Sequence, residues 1–269
     1  MFDHLDHDAF RTSILDWYGV YRRDLPWRGD PDPYHVLLSE VMLQQTQVHR
    51  VIPAYHRFLA RFPTLGDLAS APTADVLRAW AGMGYNRRAL YLKRAAQAVR
   101  EGYGGSLPRS VEELERLPGI GRYTSRAVAC FAFGVQVAVV DTNVRRLLSG
   151  FAGRQLTEKE TETLADLLLP SGRAADWNQA LMDYGSLVER ARPQRSTVPR
   201  QRFAESDRFW RGRIVDVLRL HDALSMPLLL AALPEAGRDE ARIRSLVRSL
   251  HEEGLAEFAE GTDTVTLPT

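Results

Sequence analysis

The stretch Leu117-Pro-Gly-Ile-Gly-Arg-Tyr-Thr124, followed about twenty residues later by Val140-Asp-Thr-Asn-Val144, decides how the rest of the chain is read. Pro118 restricts one backbone angle, and Gly119 and Gly121 permit positive φ. The apolar run Ala127 to Phe133 then suits a helix beginning just after the turn. At such a helix start, backbone N–H groups face outward with no side-chain cover, which is a way to hold a phosphate without a side-chain charge. Pro-Gly alone fits an ordinary turn between two packed helices. The second glycine, with Arg122 and Tyr123 directly after it, favours the phosphate hairpin, formed by Leu117, Gly119, Ile120, Gly121 and Arg122.

Composition is compatible with this reading. The 269 residues are 45% apolar, enough for one or two packed domains, and the formal net charge of +1 argues against a protein that coats nucleic acid over its whole surface. Almost every cation is Arg, Lys93 and Lys159 being the exceptions, and Arg suits phosphate forks and stacking. No apolar run reaches the roughly eighteen residues of a membrane span. The acidic start Met1-Phe-Asp-His-Leu-Asp-His lacks the basic, apolar character of a signal region, so a cytoplasmic, nucleoid-associated protein is expected. Cys130 is the only cysteine and falls in the apolar run, where packing is its expected role, so disulfides and cysteine-ligated clusters are excluded.

Helical periodicity runs from Asp8 to about Val188, broken at Gly29 to Pro33, Phe62 to Thr64, Ala71 to Thr73, Gly104 to Pro108 and Pro170 to Gly172. The fold class is therefore mainly α over 1–188. Between Arg190 and Arg213, eight Arg stand against Glu205 and Asp207, with Pro193 and Pro199 among them. This reads as a basic linker over 189–207, either a solvated charge run or a backbone-contacting loop. Residues 208 to 221, 226 to 233 and 238 to 253 suit three short helices, and Leu255 to Leu267 a hairpin turning at Glu260-Gly-Thr-Asp263. Together these predict a small winged-helix-like α+β domain over 208–269. Its third helix carries Arg238, Arg242, Arg244 and Arg248, which suit a DNA groove or a protein partner.

Two carboxylates carry the chemistry. Glu40 lies mid-helix in Leu37-Leu-Ser-Glu-Val-Met-Leu-Gln-Gln-Thr-Gln47, among apolar neighbours. There it is either one member of a structural ion pair or a proton-transfer group whose pKa is raised by burial. Asp141 ends the run Val135 to Val140 and precedes a helix that it is placed to cap, with help from Asn143. A capping carboxylate can also stabilise a sugar cation, and glycosidic cleavage requires both an acid for the leaving group and an anion for the oxocarbenium charge.

Leu25-Pro-Trp-Arg28, Ser39 to Thr46, Gly82-Met-Gly-Tyr85, Leu117 to Gly121, Val140 to Val144 and Asn178-Gln-Ala-Leu-Met182, in that order, resemble the MutY-type adenine DNA glycosylases of the helix-hairpin-helix superfamily over roughly residues 8 to 188. The resemblance implies a helix-hairpin-helix DNA glycosylase fold of two helical lobes with a cleft, and double-stranded DNA with a mispair as partner for a monomer. It also implies excision of a mispaired adenine opposite 8-oxoguanine or guanine. By resemblance, Glu40 is the acid that protonates adenine at N7 and later activates water, and Asp141 the aspartate that stabilises the sugar cation. Tyr123 stands where bifunctional relatives carry a Schiff-base lysine, which predicts a monofunctional enzyme that leaves an abasic site. Trp27, Arg28, Leu43 and Gln179 match the flipped-base pocket. Gln45, Thr46, Met83 and Tyr85 match the surface probing the opposite base, with Tyr85 as aromatic wedge. Relatives bind an iron-sulfur cluster through four cysteines, which fall here near Glu189, Ser196, Pro199 and Glu205, so no cluster or other cofactor is expected. Asn86 and Thr142 replace commoner Tyr and Gly, and the C-terminal domain that helps read 8-oxoguanine is not apparent. Two other readings remain: a pyrimidine glycosylase acting on T or U opposite G, and a non-catalytic binder of mismatched DNA.

Overall fold

A computed structural model describes residues 2–30, 32–188, 203, 206–233 and 239–269. The chain folds into two compact units, Met1–Glu40 with Leu107–Arg195, and Val41–Ser106 with Ser196–Thr269. The fold is mainly helical, as the periodicity predicts, and the only strands among the described residues lie in the C-terminal part.

The first unit holds α1 (His7–Tyr21), the start of α2 (Pro33–Leu43), α7 (Val111–Glu115), α8 (Arg122–Phe133), α9 (Thr142–Phe151), α10 (Glu158–Leu168) and α11 (Ala174–Leu187). α11 packs on α1 and α9 around Ile14, Leu147, Leu148, Leu164 and Trp177, which are buried. Burial of side chains of this size contributes about 1.5–3 kcal/mol each, so this cluster is what fixes α9 and α11 in register. The hairpin α7–turn–α8 follows the expected construction at Gly119 but not at Gly121, whose φ of −96° is one that any residue can adopt. Gly119 takes φ of 75°, Leu117 and Ile120 turn their side chains inward, and α8 begins at Gly121 with no side-chain cap.

The second unit holds α3 (Val48–Arg61), α4 (Leu65–Ser70), α5 (Thr73–Ala79) and α6 (Arg87–Gly102), with α6 packed on α4 and α5. It also holds α12 (Asp207–Leu218), β1 (Leu224–Ser225), α13 (Met226–Ala232), α14 (Glu240–Glu252), β2 (Glu257–Ala259) and β3 (Thr264–Thr266). β3 lies centrally in an antiparallel sheet of order β1-β3-β2, with Val265 opposite both Leu224 and Phe258. Three helices with this sheet make the small α+β domain. β1 escapes sequence reading because two residues carry no alternation. The expected linker over 189–207, the four cysteine-equivalent positions Glu189, Ser196, Pro199 and Glu205, and Arg238 lie outside the described residues or at their margin.

Candidate active site

Within the first unit, three side chains distant in sequence meet: Glu40 of α2, Tyr123 of α8 and Asp141 at the start of α9. The Glu40 carboxyl is buried beside the Tyr123 hydroxyl, which also contacts Met182 Sδ at 4.0 Å, and its Oε2 has no hydrogen-bond partner among the described residues. Burial pushes its pKa up from 4.5 to about 7; the Tyr123 hydrogen bond opposes this, the Asp141 charge adds to it, and Arg28 opposes it. Near neutral pH this carboxyl therefore carries a proton about half the time and can give it up. Burial first, then the two carboxylates, hold the Tyr123 hydroxyl well above its ordinary range, so it stays a neutral donor.

Asp141 is the N-cap of α9, its Oδ1 accepting from the Val144 amide at 2.7 Å. Its Oδ2 accepts from Asn143 Nδ2 at 2.9 Å. Both oxygens are thus oriented, and the carboxylate has no freedom to swing away. Asn143 is held in turn by Arg146, which donates to Asn143 Oδ1 and to the Gly185 carbonyl on α11. The run leading to Asp141 is fixed by buried Asn178. Its Oδ1 accepts from the Val139 amide, and its Nδ2 donates to the carbonyls of Val137 and Ala174 and contacts buried Cys130 Sγ.

Two residues that sequence reading passed over belong to this arrangement. Gly185 lets α11 approach α9: a Cβ there would lie 2.9 Å from the Asn143 carbonyl oxygen. Gly185→Ala is expected to push Asn143 and hence Asp141 out of place, lowering the single-turnover rate of base release at least about tenfold and stability by about 1–3 kcal/mol. A urea melt and a quench-flow assay measure both, and an unchanged rate would show that Asn143 tolerates the shift. The second is Asp183, fully buried on α11, which receives Arg28 through two bonds of 2.7 and 2.8 Å and Arg23 through its backbone and side chain. Burial by itself would raise the Asp183 pKa, but the two guanidinium groups hold it below the usual carboxylate range.

Arg28 thereby takes part in an ion pair that sequence reading did not anticipate. Both terminal nitrogens are committed to Asp183, and one also to the Arg23 carbonyl, so the guanidinium is one member of a structural ion pair whose charge reaches Glu40. Gln179 accepts from the Tyr18 hydroxyl at 2.8 Å through Oε1, and Trp27 is buried. On the hairpin, exposed Arg122 pairs with Glu162 at 2.7 Å.

The second unit carries Leu43, Gln45, Thr46, Met83 and Tyr85. α2 stops at Leu43, so Gln44 to Thr46 form a turn in which Gln45 takes φ of 55°. Tyr85 likewise takes φ of 47°, a conformation rare for a bulky side chain. Both are held by Arg88, which donates to the carbonyls of Val41, Met42, Gln44, Met83 and Gly84 and to Thr46 Oγ1. Burial among these carbonyls pulls the Arg88 pKa down to about 10, so it remains charged. Met83 is 3% exposed, so its apolar side chain is turned inward and its backbone takes part in the turn, the amide donating to the Trp80 carbonyl and the carbonyl accepting from Arg88.

A helix-hairpin-helix fold with a protonatable buried acid beside a clamped aspartate defines a glycosidase-like centre on a DNA-binding scaffold. Residues 38–170 match the HhH-GPD superfamily of base excision DNA repair proteins. Over 233 residues the chain is 42% identical to the adenine DNA glycosylase of Mycolicibacterium smegmatis, covering 77% of this chain and 80% of that one. Against the human adenine DNA glycosylase it is 44% identical over 202 residues, 70% of this chain and 37% of the human protein. The solved structure of a thermostable thymine-DNA glycosylase superposes with a TM-score of 0.65 at 33% identity, covering 69% of this chain and 88% of that one. The chain belongs to the adenine DNA glycosylase (MutY-type) family within the HhH-GPD superfamily, and is a DNA glycosylase.

The iron-sulfur cluster that the resemblance brings with it does not fit the residues present. Four thiolates are needed, while Cys130, the only cysteine, is buried and hydrogen-bonded to Asn178, with burial raising its pKa to about 11. Among the described residues no group of His, Cys, Asp or Glu is arranged to hold a metal ion, and no helix is long and apolar enough to cross a membrane.

Proposed function

We propose that this chain hydrolyses the N-glycosidic bond of an adenine mispaired with 8-oxoguanine or guanine in double-stranded DNA, acting as a monomer and leaving an abasic site with the strand intact. The observation that carries the reading is the Glu40 carboxyl, buried with one oxygen unpartnered and its pKa raised to about 7, beside the clamped carboxylate of Asp141. Protonated Glu40 gives its proton to N7 of an extrahelical adenine. The C1′–N9 bond then breaks with its electron pair passing to the base, and Asp141 stabilises the oxocarbenium charge left on the sugar. Deprotonated Glu40 takes a proton from the water that adds to C1′, which restores the acid. Asn143 keeps Asp141 aimed, Gln179 and Trp27 contact the extruded base, Leu43 serves as an apolar contact for it, and Gln45, Thr46 and Tyr85 meet the opposite base. The backbone of Leu117 to Arg122 holds a phosphate.

Strand cleavage would need an amine nucleophile, and Tyr123, whose hydroxyl stays protonated beside Glu40, supplies none. No iron-sulfur cluster takes part, since one cysteine cannot ligate it. The test is a base-release panel on A:8-oxoG, A:G, T:G and U:G duplexes, each run with and without alkali. Adenine released only from the first two, with strand breaks only after alkali, is expected from a colourless preparation. Release of thymine or uracil in preference would favour the second reading, which the likeness to a thymine-DNA glycosylase supports. Alkali-independent breaks or an iron-sulfur absorbance band would overturn the monofunctional or cluster-free part.

A further inference from the structure

Three consecutive residues, Tyr85, Asn86 and Arg87, each receive a partner from the C-terminal domain of the same unit. The guanidinium of exposed Arg208, on the first turn of α12, stacks 3.8 Å from the centre of the Tyr85 ring. Arg219, immediately after α12 and with its side chain only 7% exposed, donates to Asn86 Oδ1 at 2.8 Å and to the Leu77 carbonyl at 2.8 Å. Glu253, after α14, pairs with Arg87 at 3.5 Å and with Arg211 of α12 at 2.6 Å. At Gly254 the chain passes so close to α6 that a Cβ would lie 3.2 Å from the Arg94 guanidinium. These contacts converge on a turn whose Tyr85 holds a strained left-handed backbone, so the domain is built against that turn. They also account for Asn86: its short amide supplies the acceptor that Arg219 uses, which a tyrosine at that position would not place there.

We propose that the C-terminal domain is part of the opposite-base reader, with Arg208 as a specificity-determining residue that backs one face of the Tyr85 ring while Arg219 fixes Asn86 beside it. This rests on reading Tyr85 as the wedge. A planar cation on an aromatic face restricts the ring's tilt and keeps N–H edges free for an anion at the turn. The domain's effect is therefore felt in how well mismatched DNA is told from matched DNA, and not in affinity for DNA at large.

The test measures binding of the full chain to duplexes carrying 2′-fluoro-2′-deoxyadenosine, whose fluorine disfavours the sugar cation and prevents turnover, placed opposite guanine or thymine. Arg208→Ala is expected to weaken mismatch binding roughly 3- to 10-fold while changing matched binding less than about 2-fold. In a Tyr85→Ala background, where discrimination is already reduced, the same substitution should add less than about 2-fold. An equal loss on both duplexes would make Arg208 a plain phosphate contact, and full additivity with Tyr85→Ala would show that it acts elsewhere; either result overturns the proposal. So does unchanged discrimination in Arg208→Ala or in Tyr85→Ala. Because binding is read on a duplex that cannot react, failure here is distinct from failure of the glycosylase reading, which would appear as no released base from the wild-type chain.

Discussion

Glu40→Gln is expected to lower the single-turnover rate of base release about a hundred- to ten-thousandfold while leaving mismatch binding within about threefold, because it removes a proton donor and keeps its shape. The same substitution should stabilise the protein in alkali. The Glu40 carboxyl binds its proton more tightly when folded, at about 7, than at its ordinary 4.5. Its contribution to stability is therefore fully present below about pH 4.5, declines through the window between the two values, and is lost above pH 7, where a charged carboxylate sits buried. The gap between the two values corresponds to about 3 kcal/mol, and glutamine, which does not ionise, escapes that penalty. Urea melts should thus show the variant more stable than wild type at pH 8, with the advantage vanishing near pH 4. Base release by the wild-type chain should fall about tenfold per pH unit above 7, as the protonated acid is depleted. Wild-type turnover in the glutamine variant, or a wild-type rate that stays flat to pH 9, would remove Glu40 from the acid role.

How far this centre could be read from residues alone depends on whether the signal is local. Gly119 advertises a turn, the polar pair Asp141 and Asn143 before an apolar-periodic stretch advertises a cap, and the breaks at Pro33, Pro63 and Pro72 fall where α2, α4 and α5 begin. Each is decided by a few neighbouring residues, so periodicity and capping rules locate it. The long-range parts were not legible. Asp183 meets Arg28 across 155 positions, and nothing in the residues on either side of it marks a charge partner so far away. Arg88 binds mostly carbonyl oxygens, which every residue has, so no residue type could mark its partners. Gly185 is needed because of a backbone atom on another helix, a requirement invisible until α9 and α11 are placed together. Met83, which the resemblance sets on the surface probing the opposite base, has its side chain turned inward, a burial decided by neighbours that the local sequence does not mark.

Asp183→Asn should have the largest effect on stability and an effect on pH dependence opposite to intuition. Breaking a buried ion pair by removing one partner costs about 3–5 kcal/mol, because the remaining charge is left uncompensated, and here two guanidinium groups lose their shared carboxylate. Asp183 has a depressed pKa in the folded protein, so its contribution is present above the ordinary carboxylate range and lost as pH falls through the folded value. Wild type and variant should consequently converge in stability in strong acid and diverge toward neutrality. The catalytic consequence runs through Arg28, whose charge already opposes the rise in the Glu40 pKa. With Asp183 neutral, that positive charge acts on Glu40 undiluted and favours its ionised form, so the alkaline limb of base release should move to lower pH. Arg28→Met in the same background would remove the unpaired cation and return the limb upward, which a merely unstable protein would not do. If Asp183→Asn keeps the wild-type limb in single-turnover assays run below its melting temperature, Asp183 holds the helices together and leaves the acid alone.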